Sequence, residues 1–148
     1  MNKTYSAKPS EVKRDWYVID ASEDNLGRVA SKAAQLLTCK GKPMFTAHID
    51  CGDYVIITNA EKLKVTGNKM ATIKYYHHSQ HPGGLSTRTL QEQMIINPSK
   101  AIQEAVRGML PVNKLTSERM NRLKVYNGEE HKHEAQQPFK LTLKKGDR

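Results

Sequence analysis

"WYVIDASEDNLGRVASKAAQLLTCKGKP", residues 16–43, contains a strand and a helix separated by a short polar turn. "WYVIDA" (16–21) is aromatic, β-branched and nearly continuous in apolar residues, as in a strand covered on both faces. "SEDN" closes it. Beyond the turn, Leu26, Val29, Ala30, Ala33 and Leu37 recur at three and four residues, which predicts one buried face of a helix. Asp24 or Asn25 suits its N-cap. Lys40 and Gly41 suit its end, and Pro43 prevents continuation.

The same alternation continues downstream. "DYVIITNA" (53–60) predicts a second buried strand, and "KLKVTGN" (62–68) a short one with Gly67-Asn68 as its turn. "ATIKYYHH" (71–78) is compatible with either extended or helical backbone. "TRTLQEQMIIN" (87–97) predicts a helix with Leu90, Met94 and Ile95 on one side. "NPSKAIQEAVRGML" (97–110) is the clearest helix: Asn97 fits the N-cap, Pro98 the first turn, and Ile102, Ala105, Val106 and Met109 form its stripe. "TSERMNRL" (116–123) predicts a short helix capped by Thr116 or Ser117, and "LKVYNG" (123–128) a last strand and turn. From 129 onward the chain reads as polar surface. Strands alternating with helices point to an α/β layered sheet.

The 148 residues fit one domain and can bury a real core. No run approaches the length of a membrane span, and the polar N-terminus has no apolar h-region, so neither a membrane anchor nor a secretory signal is expected. Cys39 and Cys51 are too few for a disulfide framework and suit small buried positions in a reducing compartment. The net charge of +9 favours a polyanionic partner, nucleic acid first.

Catalytic chemistry finds little support. A metal site needs carboxylates or thiolates beside its histidines. "YYHHSQHPGGL" (75–85) has neither, although it carries His77, His78 and His81. "EEHKHE" (129–134) is better supplied, which keeps a metal-dependent hydrolase as the competing reading. "DNLGRVAS" sits where a phosphate loop would, but it lacks the glycine pattern of one; Gly27 alone suggests a tight turn or close packing. No cofactor, metal or small-molecule substrate is expected. In the 75–85 loop, Tyr and His rings suit stacking on unpaired bases. Gly83 and Gly84 suit close backbone approach, with N–H donors offered to phosphate. The cations are spread along the chain, as for a protein wedged among several phosphate backbones.

"WYVIDASEDNLGRVAS", "GKPMFTAHIDCGDYVIITNAEKLKVTGNK", "YYHHSQHPGGL", "AVRGMLPVNKL" and "LKVYNGEEHKHEAQQP" follow one another in the order and spacing of a ribosomal family. Over residues 16–138 the chain resembles the large ribosomal subunit protein thirteen family (uL13), bacterial type. The resemblance implies a three-layer α/β/α fold with a mostly parallel four-stranded sheet. It implies a non-enzymatic protein of the cytoplasmic ribosome, bound to large-subunit ribosomal RNA early in assembly and flanked by other large-subunit proteins. The family usually carries Arg at the position of His77 and a Gly-Arg pair where Thr116 and Ser117 stand. Gln80, His81, Cys51 and Lys132 are further departures.

Charge, loop chemistry and resemblance together nominate an RNA-binding set of Arg28, Lys40, Lys42, Lys69, Lys74, His78, Gly83, Gly84, Arg107, Lys114, Arg119, Arg122 and Lys124. Residues 1–15 are expected to form an arm and 139–148 a basic tail, both ordering only on RNA. Lys140, Lys144, Lys145 and Arg148 supply the tail's charge.

Overall fold

A computed structural model describes residues 5–143 of the chain. The nominated tail cations Lys144, Lys145 and Arg148 lie outside the described residues. Four strands form one sheet: β1 (Trp16–Asp20), β2 (Tyr54–Thr58), β5 (Leu123–Val125) and β6 (Phe139–Leu141). Their order is β5-β2-β1-β6, and every pair is parallel. A separate antiparallel hairpin joins β3 (Lys74–His78) to β4 (Leu85–Thr89). The helices are α1 (Leu26–Thr38), α2 (Lys69–Thr72), α3 (Leu90–Ile96), α4 (Pro98–Met109) and α5 (Thr116–Asn121).

The parity of the parallel register sorts the sheet into two faces. Ile19, Val55, Ile57 and Leu123 join the core with Val29, Ala30, Ala33 and Leu37 of α1 and Ala101, Ile102 and Val106 of α4. Trp16, Val18, Tyr54 and Ile56 take the opposite face. There Trp16 stacks on Tyr54 with ring centroids 4.2 Å apart, and His133 leans on Trp16 at 4.9 Å. Segment 129–138, with its single 3-10 turn at Glu134–Gln136, crosses this face. The result is an α/β fold in three layers, the second outer layer being built mainly from that segment.

Several expectations need correcting in detail. α1 ends at Thr38 because Cys39 adopts the left-handed conformation (φ 62°), so that its N–H and that of Lys40 close on the carbonyls of Leu36 and Gln35. Asn25 holds the N-cap position but its side chain makes no capping bond. Gly27 makes neither a tight turn nor a close contact: it lies in α1 with open space where a Cβ would be. Residues 62–68 form no strand; Lys64 makes only an isolated bridge to Asn25. Residues 69–78 are helical first and extended after.

β4 occupies Leu85–Thr89, where a helix start is expected from sequence, and the helix begins at Leu90 behind a capping box of Thr89 and Glu92. On α3, Leu90 and Gln93 are buried while Ile95 is 78% exposed. Met109 leaves the stripe of α4 and is exposed. Leu115, rather than Thr116 or Ser117, caps α5.

Both termini touch the domain. Within residues 5–15, most of them exposed, Ala7 is buried beside Cys39 and Cys51, and its N–H donates to Thr46 Oγ1 at 3.1 Å. Phe139–Leu141, placed by charge in a tail, is an edge strand of the sheet. Both cysteines are free and buried.

Asp20, at the end of β1, accepts from Ser22 N–H (2.8 Å), Ser22 Oγ (2.7 Å) and Asn59 Nδ2 (3.0 Å). Burial pushes its pKa up, but those hydrogen bonds outweigh burial and hold the carboxyl below its ordinary value. A depressed carboxyl stabilises the fold above its unfolded pKa, and that contribution is lost as the pH falls through the folded one. The stability gap between the wild type and Asp20→Asn should therefore narrow as the pH falls from about 5 toward 2. Urea unfolding midpoints across that range test this; a constant gap would show that Asp20 titrates alike in both states.

Candidate nucleic-acid interface

Hairpin and helix enclose a groove of about 600 Å³. Lys74, Tyr75, Tyr76 and His77 reach it from β3, Ser86 and Arg88 from β4, and Lys100, Glu104 and Arg107 from α4. Each position has a local cause. Tyr75 pairs with Arg88 and His77 with Ser86 across the hairpin, so these four share one face. Residues 100, 104 and 107 share one side of α4, opposite the buried Ile102 and Val106. Four cations thus stand against one carboxylate. Burial first, then the nearby Glu104 carboxylate, raises the Tyr75 phenol above its ordinary pKa, so it stays neutral. Tyr76 is 67% exposed and presents a free ring.

The hairpin turn is built by glycine chemistry. Gln80 (φ 64°) and Gly83 (φ 73°) take left-handed conformations. A Cβ on Gly84 would lie 2.1 Å from Ser79 Oγ and 2.9 Å from the His81 carbonyl oxygen. The Gly84 N–H donates to His81 O at 2.9 Å. It is therefore spent within the turn rather than offered to phosphate, which corrects that expectation. His78 Nδ1 accepts from the Gln80 N–H at 2.9 Å and so shapes the same turn. His78 and Gly83 are exposed at the tip.

The nominated cations divide into three groups. Lys74 and Arg107 meet in the groove. Lys40, Lys69 and Lys114 are exposed elsewhere, Arg28 is exposed but paired with Asp24 at 3.2 Å, and Lys124 is half-buried on β5. Lys124 shares the register of Ile56, so it belongs to the sheet face away from α1 and α4. Lys42, Arg119 and Arg122 form the third group and are structural.

Lys42 Nζ sits 2.8 Å from Asp15 and 2.7 Å from Asp53, whose side chain is buried. Burial lowers its pKa, yet the hydrogen bonds it donates to both carboxylates, and their charges, more than reverse this and hold it above the ordinary lysine range. Arg119 is 2% exposed and Arg122 7%. Both turn inward to Asp50: Arg122 grips the carboxylate with both terminal nitrogens, and Arg119 Nε lies 3.6 Å from it. Placing these two on an outer RNA face is therefore corrected. A single carboxylate, its side chain 8% exposed, draws both guanidiniums inward.

Arg88 and Lys100 are absent from the set expected from sequence. For Lys100 the signal was its i, i+4, i+7 spacing with Glu104 and Arg107. For Arg88 no signal existed, because β4 itself was not legible. Among the described residues no three His, Cys, Asp or Glu side chains converge as metal ligands. His133 packs on Trp16 and Tyr126, and His131 Nδ1 accepts from the His133 N–H at 3.3 Å.

Residues 14–132 match the family described as Ribosomal protein L13. The chain belongs to that family. Its similarity to relatives runs nearly end to end. It is 54% identical over 141 residues to the large ribosomal subunit protein uL13 of Cupriavidus taiwanensis, covering 95% of this chain and 99% of the relative. It is 51% identical over 144 residues to uL13 of a Geobacillus species, covering 97% and 99%. For uL13 of Halorhodospira halophila the identity is 49% over 141 residues, again 95% and 99%. The matched span of the L13 family includes the sheet strands β1, β2 and β5, the hairpin and α4.

Proposed function

We propose that this chain is a structural constituent of the bacterial large ribosomal subunit, working in the cytoplasm, that binds large-subunit ribosomal RNA and supports early assembly. The observation that carries the reading is the hairpin–α4 groove, whose lining includes four cations, one carboxylate and two tyrosines. Lys and Arg neutralise phosphates and supply affinity, while the exposed rings and turn offer stacking to unpaired bases. Exposed Ile95 and Ile96 on α3 suit a neighbouring large-subunit protein. The role needs no catalysis, cofactor, membrane or small-molecule substrate. Lys40, Lys69, Lys114 and Lys124 add contacts on other faces, consistent with a chain set between several RNA segments.

Titrating a large-subunit ribosomal RNA fragment against salt tests this. Log affinity should fall steeply with log salt. Arg88→Ala and Arg107→Ala should each flatten the slope by roughly 0.7 to 0.9, one phosphate's share. A slope near zero in the wild type would overturn RNA binding through phosphates. Failure to sediment with large subunits through a moderate salt wash would instead indicate a free RNA-binding regulator. Stoichiometric zinc with chelator-sensitive turnover would favour the hydrolase reading.

A further inference from the structure

We propose that the pocket between α1 and the α4–α5 loop receives one unpaired nucleotide of the bound RNA. The inference rests on the RNA-binding reading and assigns a specific ligand to a second place on the surface. The pocket measures about 300 Å³, and its walls include Gln35, Lys40, Phe45, Met109, Asn113 and Arg119. Each supplies a contact that a nucleotide uses. Phe45 and Met109 are 42% and 45% exposed, an aromatic face and a polarizable side chain at one opening. Asn113 Oδ1 is engaged by the Leu115 N–H at 3.1 Å, which leaves its amide nitrogen to donate. Gln35 is exposed and offers both amide functions. Lys40 is exposed and suits the phosphate.

The charge behind the pocket points the same way. Arg119 is buried at the back of the pocket, with its Nε aimed at Asp50 3.6 Å away, an ion pair beyond hydrogen-bond reach. Arg119 and Arg122 together face the single carboxylate of Asp50, so the cluster behind the pocket holds excess positive charge. Buried cations call for a compensating anion or acceptor. No carboxylate lines the pocket.

The pocket also lies on a continuous path. Asn113 is shared with a neighbouring groove that contains Glu104 and Arg107, and these two also line the hairpin groove. A strand following the hairpin groove can therefore reach the pocket along one surface. An aliphatic protein side chain would use the apolar wall alone and leave Lys40 and the amides without partners. A nucleotide engages ring face, base edge and phosphate together.

The test places a photo-crosslinker in the pocket, Phe45→4-azidophenylalanine, in the full chain assembled into large subunits. Irradiation should join position 45 to one nucleotide of the large-subunit RNA. In parallel, Phe45→Ala should weaken binding to a large-subunit RNA transcript about tenfold, while Phe45→Tyr restores it. The salt slope should stay as in wild type, since a stacking contact neutralises no phosphate. A crosslink to protein, or no crosslink with unchanged affinity of Phe45→Ala, overturns the nucleotide pocket and leaves the hairpin–α4 interface standing. Loss of salt-dependent binding in the wild type would instead remove the RNA reading, and the pocket with it.

Discussion

Replacing Asp50 with alanine is expected to destabilise the fold by about 3 to 5 kcal/mol, the range for removing one partner of a buried ion pair. Among the described residues, Asp50 is the only carboxylate that Arg119 and Arg122 contact, and its side chain is 8% exposed. Removing it leaves two buried guanidiniums without their anion. The converse change is milder. Arg119→Met removes the more loosely held cation and leaves Asp50 bound by both terminal nitrogens of Arg122. Chemical unfolding followed by circular dichroism measures both. Equal stability losses for the two variants would mean that the cluster is not organised around its carboxylate.

Gly52→Ala should cost on the order of 3 kcal/mol, through overpacking against backbone rather than side chain. A Cβ at Gly52 would lie 1.8 Å from the Leu37 carbonyl oxygen and 2.6 Å from its carbonyl carbon. Neither atom yields easily. Leu37 belongs to the last turn of α1, and the Asp53 N–H is tied to the neighbouring Leu36 carbonyl at 3.1 Å. The chain enters β2 by passing directly over the end of α1, and only glycine permits that distance. Arg122 Nη2, 3.1 Å from the same point, would be displaced as well, which couples this site to the Asp50 cluster. Gly27→Ala provides the opposite sign in the same thermal unfolding experiment. Gly27 is helical with open space around it, so alanine there should stabilise by about 0.5 to 1 kcal/mol. An unchanged melting temperature for Gly52→Ala would show that the α1–β2 passage can open at little cost.

Elements that carry their own pattern were legible in the chain. β2 is a continuous apolar run and is buried along its length apart from Tyr54. α4 announces itself through Asn97 and Pro98, and Asn97 does accept from the Lys100 N–H. α1 shows a clear stripe. β4 was not legible because "LSTRT" is mostly exposed and pairs only with β3, so no buried face imprints alternation on it. β6 is three residues long and owes its conformation to the free edge of β1. The site was half legible for the same reason. Lys74 and Arg107 were nominated by charge alone, Arg88 came into view only with its strand, and Arg119 and Arg122 were assigned to the wrong side of the surface.

What the amino-acid order determined by itself was the succession of strands and helices, the basic character and the family, because each is written in local periodicity or in motifs read in series. Which cations face outward was decided by tertiary structure alone. Asp50 lies 72 residues from Arg122, and Asp15 lies 27 from Lys42. An arginine three residues from another looks the same in sequence whether it awaits a phosphate or a carboxylate. The difference appears only when folding brings a buried anion to its side, where the low dielectric makes that pairing stronger than hydration.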